Sequence, residues 1–159
     1  MTDGGEVVYE DDASIEASDP IWRRISAGQW TYNHNKGQVQ PRSGLFQYNK
    51  HPVTGQKHPM SITLGKGLTP DAAIAGKPAG TKLVSWKAGY IRSLALGICS
   101  DEQPGELGHG LVFTLAKDSA GKPKTSISGS VQTKLSEAAA WIIGLSGDEI
   151  DAARTRTTA

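Results

Sequence analysis

The sequence predicts an α+β fold, a single small domain in which a short-stranded mixed or antiparallel sheet is packed by two or three helices. Short apolar-rich runs bounded by Gly and Pro, such as Met60 to Leu64 and His109 to Leu115, have the length and spacing of strands. Helical spacing is confined to a few segments, and the two kinds of element follow one another in no regular alternation, which argues against a parallel α/β architecture. A length of 159 residues suits one domain. With 37% apolar residues and 19 glycines, collagen-like, coiled-coil and wholly disordered chains are excluded.

Residues 1–19 read as an acidic disordered leader, 20–146 as the globular α+β domain and 147–159 as a C-terminal tail. Ile21 to Ile25 is a short strand or a helical turn, because Trp22 and Ile25 cannot share one strand face. Trp30 and Tyr32 alternate as in a strand, and Asn35-Lys36-Gly37 supplies a hairpin turn. Residues 41–59 are loop, broken by Pro41, Pro52, Gly55 and Pro59. Met60 to Leu64 alternates as a half-buried strand.

Thr69-Pro70-Asp71 is a helix start, with a capping hydroxyl, Pro in the first turn and an acid beside it; Gly76 and Pro78 end that helix. Lys82 to Leu96 reads as a strand running into a helix capped by Gly97. Ile98-Cys99 starts a buried strand, His109 to Leu115 is another, and 116–129 is loop. The most regular helical spacing lies between Ser130 and Leu145, with Val131, Leu135, Ala138, Ala139 and Ile142 on one stripe. Ser146-Gly147-Asp148-Glu149 has capping-box spacing and opens one last turn, after which Arg154 to Ala159 should fray.

A formal net charge of +1 averages two unlike regions. Residues 1–19 contain seven acids and no Lys or Arg, so residues 20–159 hold all 17 Lys and Arg against nine acids. An acidic leader on a basic body suggests a basic face that recognises a partner protein or an anionic ligand, with the leader regulating or extending the contact. Nucleic acid is the weaker expectation, because the lysines are scattered singly. No run approaches the ~18 apolar residues of a membrane span, and the acidic start lacks the basic-then-apolar pattern of a signal peptide, so a cytoplasmic protein with no membrane partner is expected. One cysteine, Cys99, excludes an intrachain disulfide and a cysteine-cluster zinc site.

Gly65-Lys66-Gly67 lacks the spacing of a phosphate-cradling loop. His34, His51 and His58 are spaced too irregularly for a metal pair, so no metal is expected. His109 stands between Gly108 and Gly110, where small neighbours permit close approach, and is the candidate catalytic residue. Cys99 as its nucleophilic partner is outweighed by a structural role. Arg24, Arg42, Ser43 and His109 are the candidate ligand-binding residues: guanidinium forks suit phosphate or carboxylate, and Arg42-Ser43-Gly44 suits an anion-binding turn.

Several patches carry a resemblance: Trp22-Arg23-Arg24-Ile25, Pro41 to Phe46, Pro59 to Ile62, Ala88 to Gly97, Gly108 to Val112, and Ala139 to Trp141. Over about residues 21–143 the chain resembles small bacterial proteins with no assigned activity, which implies one continuous domain and singles out the same four site residues. Arg24 and Arg42-Ser43 also resemble, more distantly, the residues that frame NAD in RES-type ADP-ribosyltransferases. That likeness implies an enzyme acting on NAD or a related nucleotide as the alternative function, and NAD as cofactor only then. It departs where such enzymes place a late acid, since Glu137 falls on a predicted helix. A third expectation is RNA cleavage by His109 with a second acid–base group that the sequence does not locate.

Overall fold

The computed structural model describes residues 2, 3 and 6–158. Two short strands, β1 (Thr2–Asp3) and β2 (Glu6–Val7), pair with each other. Residues 8–19 then lie along the body, which corrects the expectation of a disordered leader over that stretch. Arg92 is the reason: its Nε reaches Asp11 at 3.1 Å, Nη1 donates to Ile15 O at 2.6 Å and Nη2 to Asp12 O at 2.8 Å. Asp12 N donates to Ile98 O, the Asp11 carboxylate accepts from Ile98 N, and Ile15 is buried in the core.

Strand β3 (Pro20–Ile25) sends Ile21, Arg23 and Ile25 to one face and Trp22 and Arg24 to the other. Trp22 and Ile25 are both buried because the sheet is covered on both sides, which resolves the conflict in the sequence pattern. The hairpin of β4 (Trp30–Asn33) and β5 (Gln38–Pro41) follows as predicted, then a 3₁₀ turn over Ser43–Leu45. Within the expected 41–59 loop, β6 (Asn49–Lys50) and β7 (Lys57–His58) form a second small hairpin. Next come β8 (Met60–Leu64) and α1 (Pro70–Ile74), whose N-cap Thr69 accepts from Ala72 N.

Strand β9 (Lys82–Lys87) runs directly into α2 (Ala88–Ser93), then β10 (Leu96–Ser100) and β11 (His109–Thr114). Gly97 is not the helix cap: it lies inside β10, where a Cβ would stand 2.5 Å from the Phe113 ring, and Ala95 takes the positive φ of 60° instead. Helix α3 (Gly129–Ala138) stops well short of Leu145. The chain turns extended at Ala139, and β12 (Ala140–Ile143) pairs with β9. Helical spacing yields here to the unpaired edge of β9 and to Trp141, whose indole donates to Val39 O at 2.9 Å. The expected tail is α4 (Gly147–Thr158), opened by reciprocal Ser146 and Glu149 capping bonds.

The central sheet has the order β10-β11-β8-β3-β9-β12, every pair antiparallel, and the fold is α+β as predicted. On one face the main core gathers Ile21, Ile25, Phe46, Val84, Trp86 and Leu135. The Trp86 indole donates to Leu135 O at 2.9 Å and ties α3 to that face. On the other face Trp22 and Leu83 pack with Ala73 of α1.

Arg23 enters the main core without a carboxylate. Its Nη1 donates to Ser61 O and its Nη2 to Leu45 O at 2.8 Å, while Nε has no partner among the described residues. Burial, with a smaller contribution from Arg24, pushes the Arg23 guanidinium down to about 10. Arg23→Ala is expected to lower stability by about 3 kcal/mol, since each buried carbonyl left unpartnered costs about 1–3 kcal/mol. Arg23→Met, which fills the stem and removes the charge, should lose less; urea unfolding of both variants measures the difference. Arg92→Ala should leave the sheet folded and release residues 8–19, read as faster amide exchange at Asp12 and Ile98 with the β8 amides unchanged.

Candidate functional site

The sheet face that carries α1 also carries a polar row. Trp22 is opposite Thr63, which is opposite His109, and Leu111 is opposite Ser61, so Arg24, Ser61 and His109 project from neighbouring strands to one side. The 101–108 segment between β10 and β11 closes over this row. Together they frame a hollow of about 560 Å³ lined by Arg24, Ser61, Asp101, Glu106 and His109, with His51 and His58 added from the β6–β7 hairpin.

Glu106 joins two cations across this hollow. Its carboxylate lies 2.8 Å from Lys77 Nζ and 3.2 Å from Arg24 Nη1, and Arg24 Nη1 also donates to Ala73 O at 3.2 Å. The Lys77 hydrogen bond, followed by the charge and hydrogen bond of Arg24, holds the Glu106 carboxyl below its ordinary 4.5 despite some desolvation. Arg24 is 27% exposed, so a positive edge faces the hollow. His109 is held more tightly, at 11% exposure: its Nδ1 lies 2.8 Å from Asp101 O and 3.1 Å from Asp101 Oδ2.

A larger groove of about 870 Å³ lies on the other side of the same hairpin. Tyr48 and Phe113 form its floor, and Tyr9 and Leu115 its apolar rim. Tyr9 stacks tilted on Phe113 with centroids 5.7 Å apart, and the Tyr48 hydroxyl accepts from Thr114 N at 3.0 Å. Burial raises both phenols, keeping them protonated. Lys57, Lys117, Lys122 and Lys124 line the groove alongside His51 and His58. Asp118, the one acid among the described residues that line it, is engaged in its own turn, accepting from Ala120 N and Lys122 N at 2.9 and 3.0 Å.

Of the four predicted ligand residues, Arg24 and His109 share the hollow and Arg42 and Ser43 do not line it. The 3₁₀ turn that carries Ser43 lies on the main-core face, where Arg23 bonds Leu45 O, whereas Arg24 points to the α1 face. The four candidate residues therefore do not share one site: residues one apart on β3 lead to opposite sides of the sheet. Glu137, at the end of α3, pairs with Lys36 at 3.5 Å. No family model, curated protein or solved structure matches the chain. The site therefore rests on its geometry.

Several neighbouring features have structural explanations. Gly110 admits Ile62 and Cys99 O, which would stand 2.8 and 2.9 Å from a Cβ, and Gly108 takes a φ of 64° against Leu64 O. Their small size serves the adjoining strands rather than a ligand. Burial, then the carboxylates of Asp101, Asp12 and Asp11, raise the Cys99 thiol, the opposite of what a nucleophile requires. Among the described residues no group of three or more His, Cys, Asp or Glu could hold a metal ion, and no helix is long and apolar enough to cross a membrane.

Sequence reasoning set aside His51 and His58 as loop residues and did not single out Lys57, Lys117, Lys122 or Lys124. Proximity arises only when the 49–58 hairpin folds beside the 115–125 segment. The signal available in sequence was the pair of histidines bracketing Pro52 to Lys57, a turn-forming stretch. Because the Glu106 carboxyl is lowered on folding, its contribution is fully present above its unfolded value and is lost as pH falls through the lowered folded one. Glu106→Gln should therefore flatten the loss of stability below pH 4.5, measured as the urea midpoint against pH.

Proposed function

We propose that the protein is an accessory binding module whose basic face takes a phosphate-bearing ligand with a flat or apolar part, the chemistry of a nucleotide strand. The observation that carries this reading is the groove on the β6–β7 side, where four lysines and two histidines surround an aromatic floor and rim. Lysine ammonium groups supply sequence-independent attraction for phosphates, and an aromatic rim accepts a base or another planar group. Asp118, the single lining acid among the described residues, already bonds two main-chain amides. A volume of about 870 Å³ lies within the ~300–1,000 Å³ usual for ligand sites.

The acidic leader extends the contact in this reading. Val8 and Tyr9 line the groove, while Asp11 is paired with Arg92 and is not placed to compete for the lysines. Four lysines gathered along one groove of a small α+β domain suit a module that delivers or holds a ligand.

A twelve-residue thymidine DNA strand serves as the probe. Binding followed by fluorescence anisotropy should weaken linearly in log salt, and Lys57→Ala, Lys117→Ala and Lys124→Ala combined should cost at least about tenfold in affinity and reduce the salt slope by about 2. An unchanged slope in the triple variant overturns the groove assignment.

A further inference from the structure

The hollow and the basic groove meet at the β6–β7 hairpin, whose His51 and His58 line both. Resting on the reading of the groove as a strand-binding site, we infer that the hollow cleaves single-stranded RNA, with His109 as general base and His58 as general acid. Of the three histidines of the hollow, His51 is set apart by what its Nδ1 faces, whereas His58 and His109 both turn Nδ1 to a carbonyl and leave Nε2 to exchange a proton. A neutral imidazole carries one N–H, and the partner of one nitrogen decides where that proton sits.

His109 Nδ1 faces two acceptors, the main-chain carbonyl and the carboxylate of Asp101, so it carries the proton and leaves Nε2 as a bare acceptor. The same carboxylate stabilises the imidazolium formed when Nε2 takes up a second proton. His51 has the opposite arrangement: its Nδ1 accepts from Val53 N and Thr54 N, both at 3.1 Å, so its proton sits on Nε2 as a fixed donor. His58 Nδ1 donates to Pro59 O at 3.2 Å, and in the imidazolium form its Nε2 holds a second, transferable proton. Arg24 adds a permanent positive charge, kept in place by Glu106 and Ala73 O.

These are the groups that transesterification of RNA needs, because the substrate brings its own nucleophile. His109 Nε2 removes the proton of a ribose 2′-hydroxyl, the 2′-oxygen bonds to the adjacent phosphorus, and the bond from phosphorus to the 5′-oxygen breaks. His58 Nε2 gives its proton to that leaving oxygen. Arg24 and the His51 Nε2–H hold the non-bridging oxygens as charge accumulates. The products are a 2′,3′-cyclic phosphate and a 5′-hydroxyl end, and exchange with water returns one proton to His58 and takes one from His109. Asp101 is a positioning residue in this scheme.

The test incubates the full chain with a labelled single-stranded uridine-rich RNA, and in parallel with the same strand 2′-O-methylated. The expected result is cleavage of the RNA to 2′,3′-cyclic phosphate ends while the methylated strand binds and stays intact. His109→Gln and His58→Gln should each lower the rate about 100-fold or more, far beyond any change in binding of the methylated strand. The pH–rate profile should be bell-shaped, with its rising limb lost in His109→Gln and its falling limb lost in His58→Gln. Asp101, Arg24, Glu106 and His51, the other charged or titrating groups of the hollow, remain in both variants. Intact RNA alongside a bound methylated strand overturns the cleavage inference and leaves the groove reading standing. Intact RNA with neither strand bound overturns both, and cleavage undiminished in His109→Gln overturns the assignment of the base.

Discussion

Because successive side chains of a strand point to opposite faces, Arg23 and Arg24 of β3 enter two different environments from adjacent positions. β3 lies between β8 and β9 within the sheet, so its alternation decides what both layers receive. Arg23 is drawn into the main core, where the Ser61 and Leu45 carbonyls accept from it and link β8 and the 3₁₀ turn to the strand. Arg24 is delivered to the other side, where Glu106 reaches it and fixes the loop that roofs the hollow. Shifting β3 by one residue would exchange the two guanidinium groups and expose Ile21 and Ile25 to the wrong layer.

What sequence reasoning recovers follows the range of the interaction that decides each element. The Met60 to Leu64 strand and the Thr69-capped helix are set by local alternation and local capping, and both stand where the pattern places them. The 139–145 segment is decided by an edge strand about 55 residues earlier and by an indole reaching the β4–β5 hairpin, so its helical spacing misleads. The site behaves in the same way. Arg24 and His109 are recognisable as chemistry-bearing residues in isolation, but that they meet, and that Arg42 does not join them, depends on strand order. Of the groove lysines, Lys117, Lys122 and Lys124 fall within one short loop, and Lys57, about 60 residues earlier, joins them only through the fold.

The histidines illustrate how hydrogen-bond partners set where the proton sits on otherwise identical side chains. Amides hold the His51 Nδ1 as an acceptor and so fix its proton on Nε2, while carbonyls hold Nδ1 of His58 and His109 as a donor and leave Nε2 to exchange a proton. Two kinds of partner therefore present one fixed donor and two proton-exchanging nitrogens to one hollow.

Residues 11 and 12 do more than anchor the leader. β10 ends the central sheet, and an end strand leaves main-chain groups facing outward, a template on which another chain can pair. Ile98 N is met by the Asp11 carboxylate and Ile98 O by Asp12 N, so the middle of that border is occupied by a short acidic stretch of the same molecule. Because one of the two caps is an ionised side chain rather than another peptide group, the seal ends the sheet instead of extending it. The acidic character of the leader thus doubles as a guard against edge-to-edge self-association, a role independent of any ligand the groove holds.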